Sequence, residues 1–345
     1  MNLHNLISSI KPVNTEAAKA CEARFNNVAK PIGSLGKLES LVMQIASVTG
    51  SAEVSLNRKA VVVFCADNGV AQSGASLYGH EVTTAIAKLL ALGKSSVSVM
   101  AESCEAQVFP VDIGMVDTVN GLRSCKLMSG TNNIAKEAAM SAETAEKAII
   151  TGINTVKELK EKGYNIIATG ETGMGNTTTS SAVCSVLLGR PAREVTGRGA
   201  GLDDAGLLRK IAAIEQAIEV NKPDADSPMD VLHKVGGLDI AAMAGLFLGG
   251  AIYNVPIVMD GFISGAAALI AVRLCPLSRG YILPSHKSFE PGARIILEEL
   301  NFSPVIDADM RLGEGTGAAA LFPLLDMALA VYNNAATYDD IQVGN

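Results

Sequence analysis

Ile166-Ile167-Ala168-Thr169-Gly170-Glu171-Thr172-Gly173-Met174-Gly175-Asn176-Thr177-Thr178-Thr179-Ser180-Ser181-Ala182 is the stretch whose reading decides the fold. The apolar run Ile166 to Ala168 reads as a strand. It ends in a loop holding Gly170, Gly173 and Gly175, then four hydroxyl residues, Thr177 to Ser180, and an apolar stretch, Ala182 to Leu188, that reads as helix. Strand, glycine-rich turn and helix N-terminus in that order suit an anion: glycines let the backbone approach, free N–H groups point outward, and the helix dipole favours negative charge. The plainer alternative is a tight turn that binds nothing. Two known fingerprints fail. A Walker loop needs lysine where Asn176 stands, and a dinucleotide fingerprint needs a third Gly or Ala where Thr178 stands. A phosphate cradle without a triphosphate-type lysine points to a nucleotide monophosphate.

Outward from this stretch the same alternation repeats. Ala60 to Cys65 is an apolar run ending in Ala66-Asp67-Asn68-Gly69, followed by a helical pattern, Glu81 to Leu92. Ala106 to Val111 reads as a strand running into Asp112-Ile113-Gly114. A helical pattern then covers Ile134 to Lys162, interrupted at Gly152. Later come Gly197-Arg198-Gly199-Ala200-Gly201, a helix to Val220, a helix from Asp239 to Leu248, and a strand Pro256 to Met259 ending in Asp260-Gly261. Ser264 is the expected cap of the next helix. Tyr281 to Leu283 is a last strand. Buried strands separated by helices predict an α/β fold with a doubly wound, mostly parallel Rossmann-like sheet. Asp67, Asp112, Glu171, Asp260 and Ser288 all follow strand ends, the edge where open α/β sheets bind ligands. Residues 1–55 read as helices, joined by the loop Lys30 to Lys37, and a long helix runs from Ala318 to Asn333.

The chain has 345 residues, 48% hydrophobic and 18% charged, with 33 glycines and no tryptophan. That is the profile of a closely packed α/β enzyme. A net charge of −7 argues against nucleic acid or an acidic membrane surface as partner. Six cysteines form no C-x-x-C pair and sit mostly in apolar segments, so they read as reduced and the protein as cytoplasmic. Met1 to Lys11 lacks the pattern of a signal peptide. Ile240 to Met259 carries no charge over a length that could span a bilayer, but Gly249-Gly250, Asn254 and Pro256 favour helix, turn and buried strand. The four histidines are scattered and no metal-ligand spacing exists, so no metal is expected.

Asp309-Met310-Arg311-Leu312-Gly313-Glu314-Gly315-Thr316-Gly317 places a lone carboxylate on a sterically open loop. A structural Glu near a helix N-terminus would gain from the dipole, but it would not need glycine on both sides. Glu314 is therefore the candidate catalytic residue.

Taken together, Lys30-Pro31-Ile32-Gly33-Ser34-Leu35-Gly36, Ala66-Asp67-Asn68-Gly69-Val70, Gly170 to Thr178, Gly197-Arg198-Gly199, Gly236-Gly237-Leu238-Asp239, Asp260-Gly261-Phe262, Ser285-His286 and Arg311 to Gly315 resemble, in order, the nicotinate-nucleotide:dimethylbenzimidazole phosphoribosyltransferases of cobamide biosynthesis. The resemblance covers nearly the whole chain. It implies a smaller helical domain built from both termini (1–55 and 318–345) beside a large α/β domain (56–317). It also implies a homodimer, or a heterodimer with a paralogue, and substrates that are nicotinate mononucleotide and an aromatic base, with no cofactor. Glu314 would be the general base and Glu171 a second catalytic carboxylate. Phosphate, ribose and nicotinate would be held by Gly173, Gly175, Asn176, Thr177, Gly199, Gly201, Lys210, Asp239, Asp260, Gly261, Ser288 and Gly313. One departure stands out: where the family commonly reads Tyr-Pro-Gln-Glu-Val-Thr, this chain has Tyr78-Gly79-His80-Glu81-Val82-Thr83. Tyr78 and His80 therefore mark an acceptor pocket with an altered polar contact. A dehydrogenase would need the intact dinucleotide fingerprint. A catalytically silent paralogue should have lost Glu314 or a cradle glycine, and both are present.

Overall fold

Lys59 to Ala66 form β1, buried along its whole length. The computed structural model describes residues 2–341, so Met1 and 342–345, the extreme ends of the expected helical domain, lie outside the described residues. Around β1 run β2 (Ala106–Gly114), β3 (Arg123–Ser124), β4 (Ile166–Thr172), β5 (Ile257–Met259) and β6 (Ile282–Pro284). They form one sheet in the order β3-β2-β1-β4-β5-β6, and every pairing is parallel. The sheet is thus parallel throughout. The expected α/β doubly wound class holds, with β3 as a two-residue edge strand too short to leave a sequence signal. The chain turns outward in one direction after β1 and in the other after β4, so the connections leaving their paired carboxyl ends diverge and leave a crevice between them.

Alternate residues of the buried strands feed two cores. Ala60, Val62, Phe64 and Ile167 meet the Ala142–Glu161, Leu238–Tyr253 and Phe262–Leu274 helices on one face. Val61, Val63, Ile166 and Ala168 meet helices from both ends of the chain, Lys37–Thr49 and Thr316–Asn334, on the other. Phe25 and Tyr332 pack with ring centroids 4.6 Å apart and planes tilted by 51°, tying the N-terminal helices to the last one.

Three local expectations change. Gly152 does not interrupt the helix, which starts at Ala142 and not Ile134 and runs unbroken to Glu161. A Cβ there would collide with the backbone of Ala242 in the Leu238–Tyr253 helix, and one at Gly245 would collide with Ile149, so the two glycines let the helices cross at backbone contact. β4 extends to Thr172 and the next helix begins at Asn176, not Ala182. The hydroxyls expected in the loop lie in its first turns, where Thr179 donates to Asn176 O at 3.0 Å and Ser181 to Thr177 O at 2.9 Å. Ser264 is not a cap: Gly261 occupies that place, and Ser264 is buried inside the Phe262–Leu274 helix.

The uncharged stretch from Ile240 is helix and strand, with Ile240 to Leu248 buried in the protein. Two other helical stretches, His80–Ser103 and Thr316–Asn334, reach the length and mean hydropathy, 1.2, of a span by composition. The first is broken into His80–Ala91 and Ser96–Ser103, and the second buries Leu321, Phe322 and Leu325 in the core. All six cysteines are free and all but Cys125 are buried.

Candidate active site

The crevice at the β1/β4 switch point is lined by the loops that follow β4, β5 and β6 together with the turn before the terminal helix. Its anion end is built by the opening stretch. Gly175, at φ +89°, caps the Asn176–Leu187 helix from the left-handed region, which glycine reaches without strain. Gly173 packs so close to the carbonyl of Ala66 that a side chain would not fit. Lys210, 1% exposed, reaches in from the Asp204–Asn221 helix and donates to Thr177 Oγ1 at 2.8 Å and to Gly197 O at 3.0 Å. Burial lowers its ammonium to about 8, while the Glu290 carboxylate pulls the other way. A lysine, a helix N-terminus and a glycine turn on one spot make an electropositive, donor-rich pocket.

At the other end stand the carboxylates. Glu171, at the end of β4, is pushed up to about 8 by burial and by the nearby Asp239 and Asp260 charges. The Asn176 side-chain amide and the Glu314 backbone N–H donate to it and offset part of that rise. Gly313 lies directly over it: a Cβ there would come within 2.6 Å of Glu171 Oε1. Glu314 adopts φ +61° between Gly313 at +89° and Gly315 at +93°, three successive left-handed residues. The strain at a non-glycine residue there is held by its surroundings. Gly315 sits so close to β4 that a Cβ would be 2.9 Å from Thr169 O and from Val61 Cγ1. The Glu314 carboxylate accepts a hydrogen bond from Val97 N–H at 3.3 Å and lines the crevice. Burial raises its pKa above the ordinary range, the Val97 amide draws it down, and the Asp260 charge adds to the rise.

Of the residues singled out in the sequence, Glu171, Gly173, Gly175, Asn176, Thr177, Gly199, Lys210, Asp260, Gly261, Ser288, Gly313 and Glu314 line one crevice. Asp239 lies beneath its floor, wholly buried, with Oδ1 accepting from Ile240 N at 2.9 Å and Oδ2 unpartnered. Burial lifts Asp239 to about 6. Gly201 belongs to the loop at φ +109° but does not line the crevice. Tyr78 and His80 are half exposed outside its lining, with His80 Nε2 3.9 Å from Asp117 Oδ2; Ser76, Leu77 and Ile86 line it instead. Two strand-end acids serve turns. Asp67 accepts from Val116 N at 2.8 Å and Asp112 from Met115 N at 2.9 Å, and neither lines the crevice.

Arg198, His286, Glu290 and Arg311 also line the crevice, although sequence reasoning gave them no role. The first, second and fourth lie inside the motif stretches, so position alone flagged them. Glu290 precedes Pro291 and looks like an ordinary helix start. Its Oε1 instead accepts from Gly199 N at 3.1 Å, and its Oε2 is buried without a partner. Among the described residues no three His, Cys, Asp or Glu side chains are grouped to hold a metal ion.

A switch-point crevice with an anion cradle at one end and raised carboxylates at the other defines a nucleotide-handling α/β enzyme. Residues 10–343 match a phosphoribosyltransferase family model. The chain is 46% identical over 345 residues to the nicotinate-nucleotide–dimethylbenzimidazole phosphoribosyltransferase of Ruminiclostridium cellulolyticum, covering 99% of this chain and 98% of that one. It is 44% identical to the protein of the same name from Clostridium acetobutylicum, with the same coverage. The crystal structure of CobT from Thermus thermophilus superposes with a TM-score of 0.90 at 35% identity, covering 96% of this chain and 99% of that one. The chain belongs to the nicotinate-nucleotide–dimethylbenzimidazole phosphoribosyltransferase family and is a phosphoribosyltransferase.

Proposed function

We propose that the enzyme transfers phosphoribose from β-nicotinate mononucleotide to dimethylbenzimidazole or a related base or phenol, giving the α-ribotide and nicotinate. The 5′-phosphate lies against Lys210, Thr177 and the Asn176 helix N-terminus, and the reacting carbon lies below Glu314. Nicotinate on the anomeric carbon is a cationic pyridinium and leaves as a neutral ring nitrogen, so departure needs neither an acid nor a metal. The acceptor attacks from the opposite face, which inverts the sugar, and loses its proton to Glu314, a step worth about 10²–10⁴-fold. Burial and the Asp239 and Asp260 charges disfavour the Glu171 carboxylate in the empty site; the substrate brings a cation beside it, and an adjacent positive charge favours the carboxylate. It then stabilises charge building on the ribose.

The observation that carries this reading is the Glu314 turn: a half-buried carboxylate of raised pKa, facing the crevice opposite an anion cradle. The supporting comparison is the shared name of the full-length relatives. The retained Glu314 and cradle glycines speak against a silent paralogue, and the free buried cysteines favour a cytoplasmic setting. The test is a product assay with nicotinate mononucleotide and dimethylbenzimidazole in the presence of EDTA. Ribotide and nicotinate should form in equal amounts, and Glu314→Gln should slow turnover by about 10²–10⁴-fold with nucleotide binding retained. Activity that needs added Mg²⁺ or Zn²⁺, or near-normal turnover of the variant, would overturn it.

A further inference from the structure

Asp260 ends β5 with its side chain buried, and its surroundings point toward the terminal helix more than toward the crevice. Its backbone N–H is held by Thr169 Oγ1 and Ser264 Oγ, both at 3.2 Å, and those hydroxyls are 2.6 Å apart. Its Oδ1 accepts from Ala318 N at 2.9 Å, and the amides of Gly317 and Gly261 also donate to the carboxylate. Gly317 and Ala318 open the Thr316–Asn334 helix, directly after the turn that carries Glu314. Those first amides have no partner inside their own helix, and a carboxylate there also meets the positive end of the dipole. Gly317 can come down on this site only because it lacks a side chain: a Cβ would run into the His286 ring. His286 is fixed in turn by Ser285 Oγ, 2.9 Å from its Nδ1.

We propose that Asp260 is a positioning residue for Glu314, anchoring the start of the terminal helix so that the left-handed turn aims its carboxylate at the acceptor, and that it is not a ligand of the nucleotide. The inference rests on Glu314 as general base. The turn is also held by its close approach to Thr169 and Gly170 of β4, by backbone donation to Glu171, by Thr316 donating to Gly313 O, and by the 3.3 Å contact of Val97 N–H with the Glu314 carboxylate, but Asp260 alone grips the amides that follow it. Without the anchor the helix start can lift away and carry Glu314 with it. A misplacement of about 1 Å in a reacting group costs on the order of 10²-fold in rate. The titratable side chains that face this junction are Glu171, His286 and Glu314 itself.

Asp260→Asn retains one acceptor for the Ala318 amide but removes the charge, and Gly317→Ala pushes the helix start off the crevice-lining His286 ring while leaving Asp260 and Glu314 themselves unchanged. The measurement is the pH profile of kcat together with KM for nicotinate mononucleotide, in both variants and in Glu314→Gln, with folding checked by thermal unfolding. Asp260→Asn should lower kcat about 10-fold or more with KM within about 2-fold. The limb of kcat that rises with pH should move to lower pH, because a negative neighbour no longer disfavours ionised Glu314. Gly317→Ala should lower kcat likewise with KM unmoved. A large rise in KM for Asp260→Asn with the limb in place would make Asp260 a substrate ligand and overturn the proposal alone. Normal kcat in Gly317→Ala would do the same. Persistence of the limb in Glu314→Gln would overturn the general-base reading, and this proposal with it.

Discussion

Lys210 shows how one buried charge sets a working range. Its ammonium is lowered to about 8 by burial, so the charged form is present below that value and fades as pH rises through it. Phosphate held by that charge should bind less well on the alkaline side. We expect KM for nicotinate mononucleotide to climb above pH 8 in the wild type. In Lys210→Met, KM should be raised by about 10-fold or more at pH 7 and flat across that range. Equal pH dependence in both proteins would show that the lysine does not carry the phosphate. At this scale the sequence was most legible where glycine spacing isolated a residue, as at Glu314. It was silent on Glu290, because a residue before proline reads the same whether its carboxylate caps a helix or turns back to the Gly199 amide.

Among the elements, the crossing of the Ala142–Glu161 and Leu238–Tyr253 helices is the tightest join. Read along the chain, Gly152 looks like a helix breaker, since glycine costs about 1 kcal/mol against alanine in a helix. The tertiary crossing inverts that meaning, because only glycine lets the Ala242 and Ile149 carbonyls approach. Gly152→Ala should therefore destabilise the protein by about 1–3 kcal/mol despite its better propensity, with kcat unchanged. A rise in Tm would refute the crossing argument. All strands but the two-residue β3 were legible because each is largely an apolar run. Their order was not, since pairing is decided by which helices cover which face. Ser264 misled for a related reason: a hydroxyl near a helix start reads as a cap, while its real partners are Thr169 in β4 and the Asp260 amide just after β5.

At the scale of the whole molecule, two surfaces carry predictions. His80 stands half exposed near Asp117 at the head of the His80–Ala91 helix, outside the crevice lining, where the family pattern expects a polar contact to the acceptor. We expect a broad acceptor range, tested by competition among dimethylbenzimidazole, adenine, phenol and p-cresol in wild type and His80→Gln. Exclusive use of dimethylbenzimidazole with no change in the variant would count against it. We also propose a dimer in which the loop from Lys30 to Lys37 meets the partner's crevice. Its lysines are held within the chain, Lys30 by Glu39 at 2.7 Å and Lys37 by Pro304 O at 2.8 Å, while Ile32 at the tip is 70% exposed. An active monomer by light scattering would exclude that assembly. The covering of one sheet face by helices from both chain ends has a consequence for how the protein is made. β1 and the Lys37–Thr49 helix leave the ribosome early, yet Val61, Val63, Ile166 and Ala168 wait for Leu321, Phe322 and Leu325 to close over them. At about 5–20 residues per second that interval lasts roughly 10–50 s. Until those terminal-helix residues emerge, a nascent chain of this enzyme leaves that apolar sheet face only partly covered.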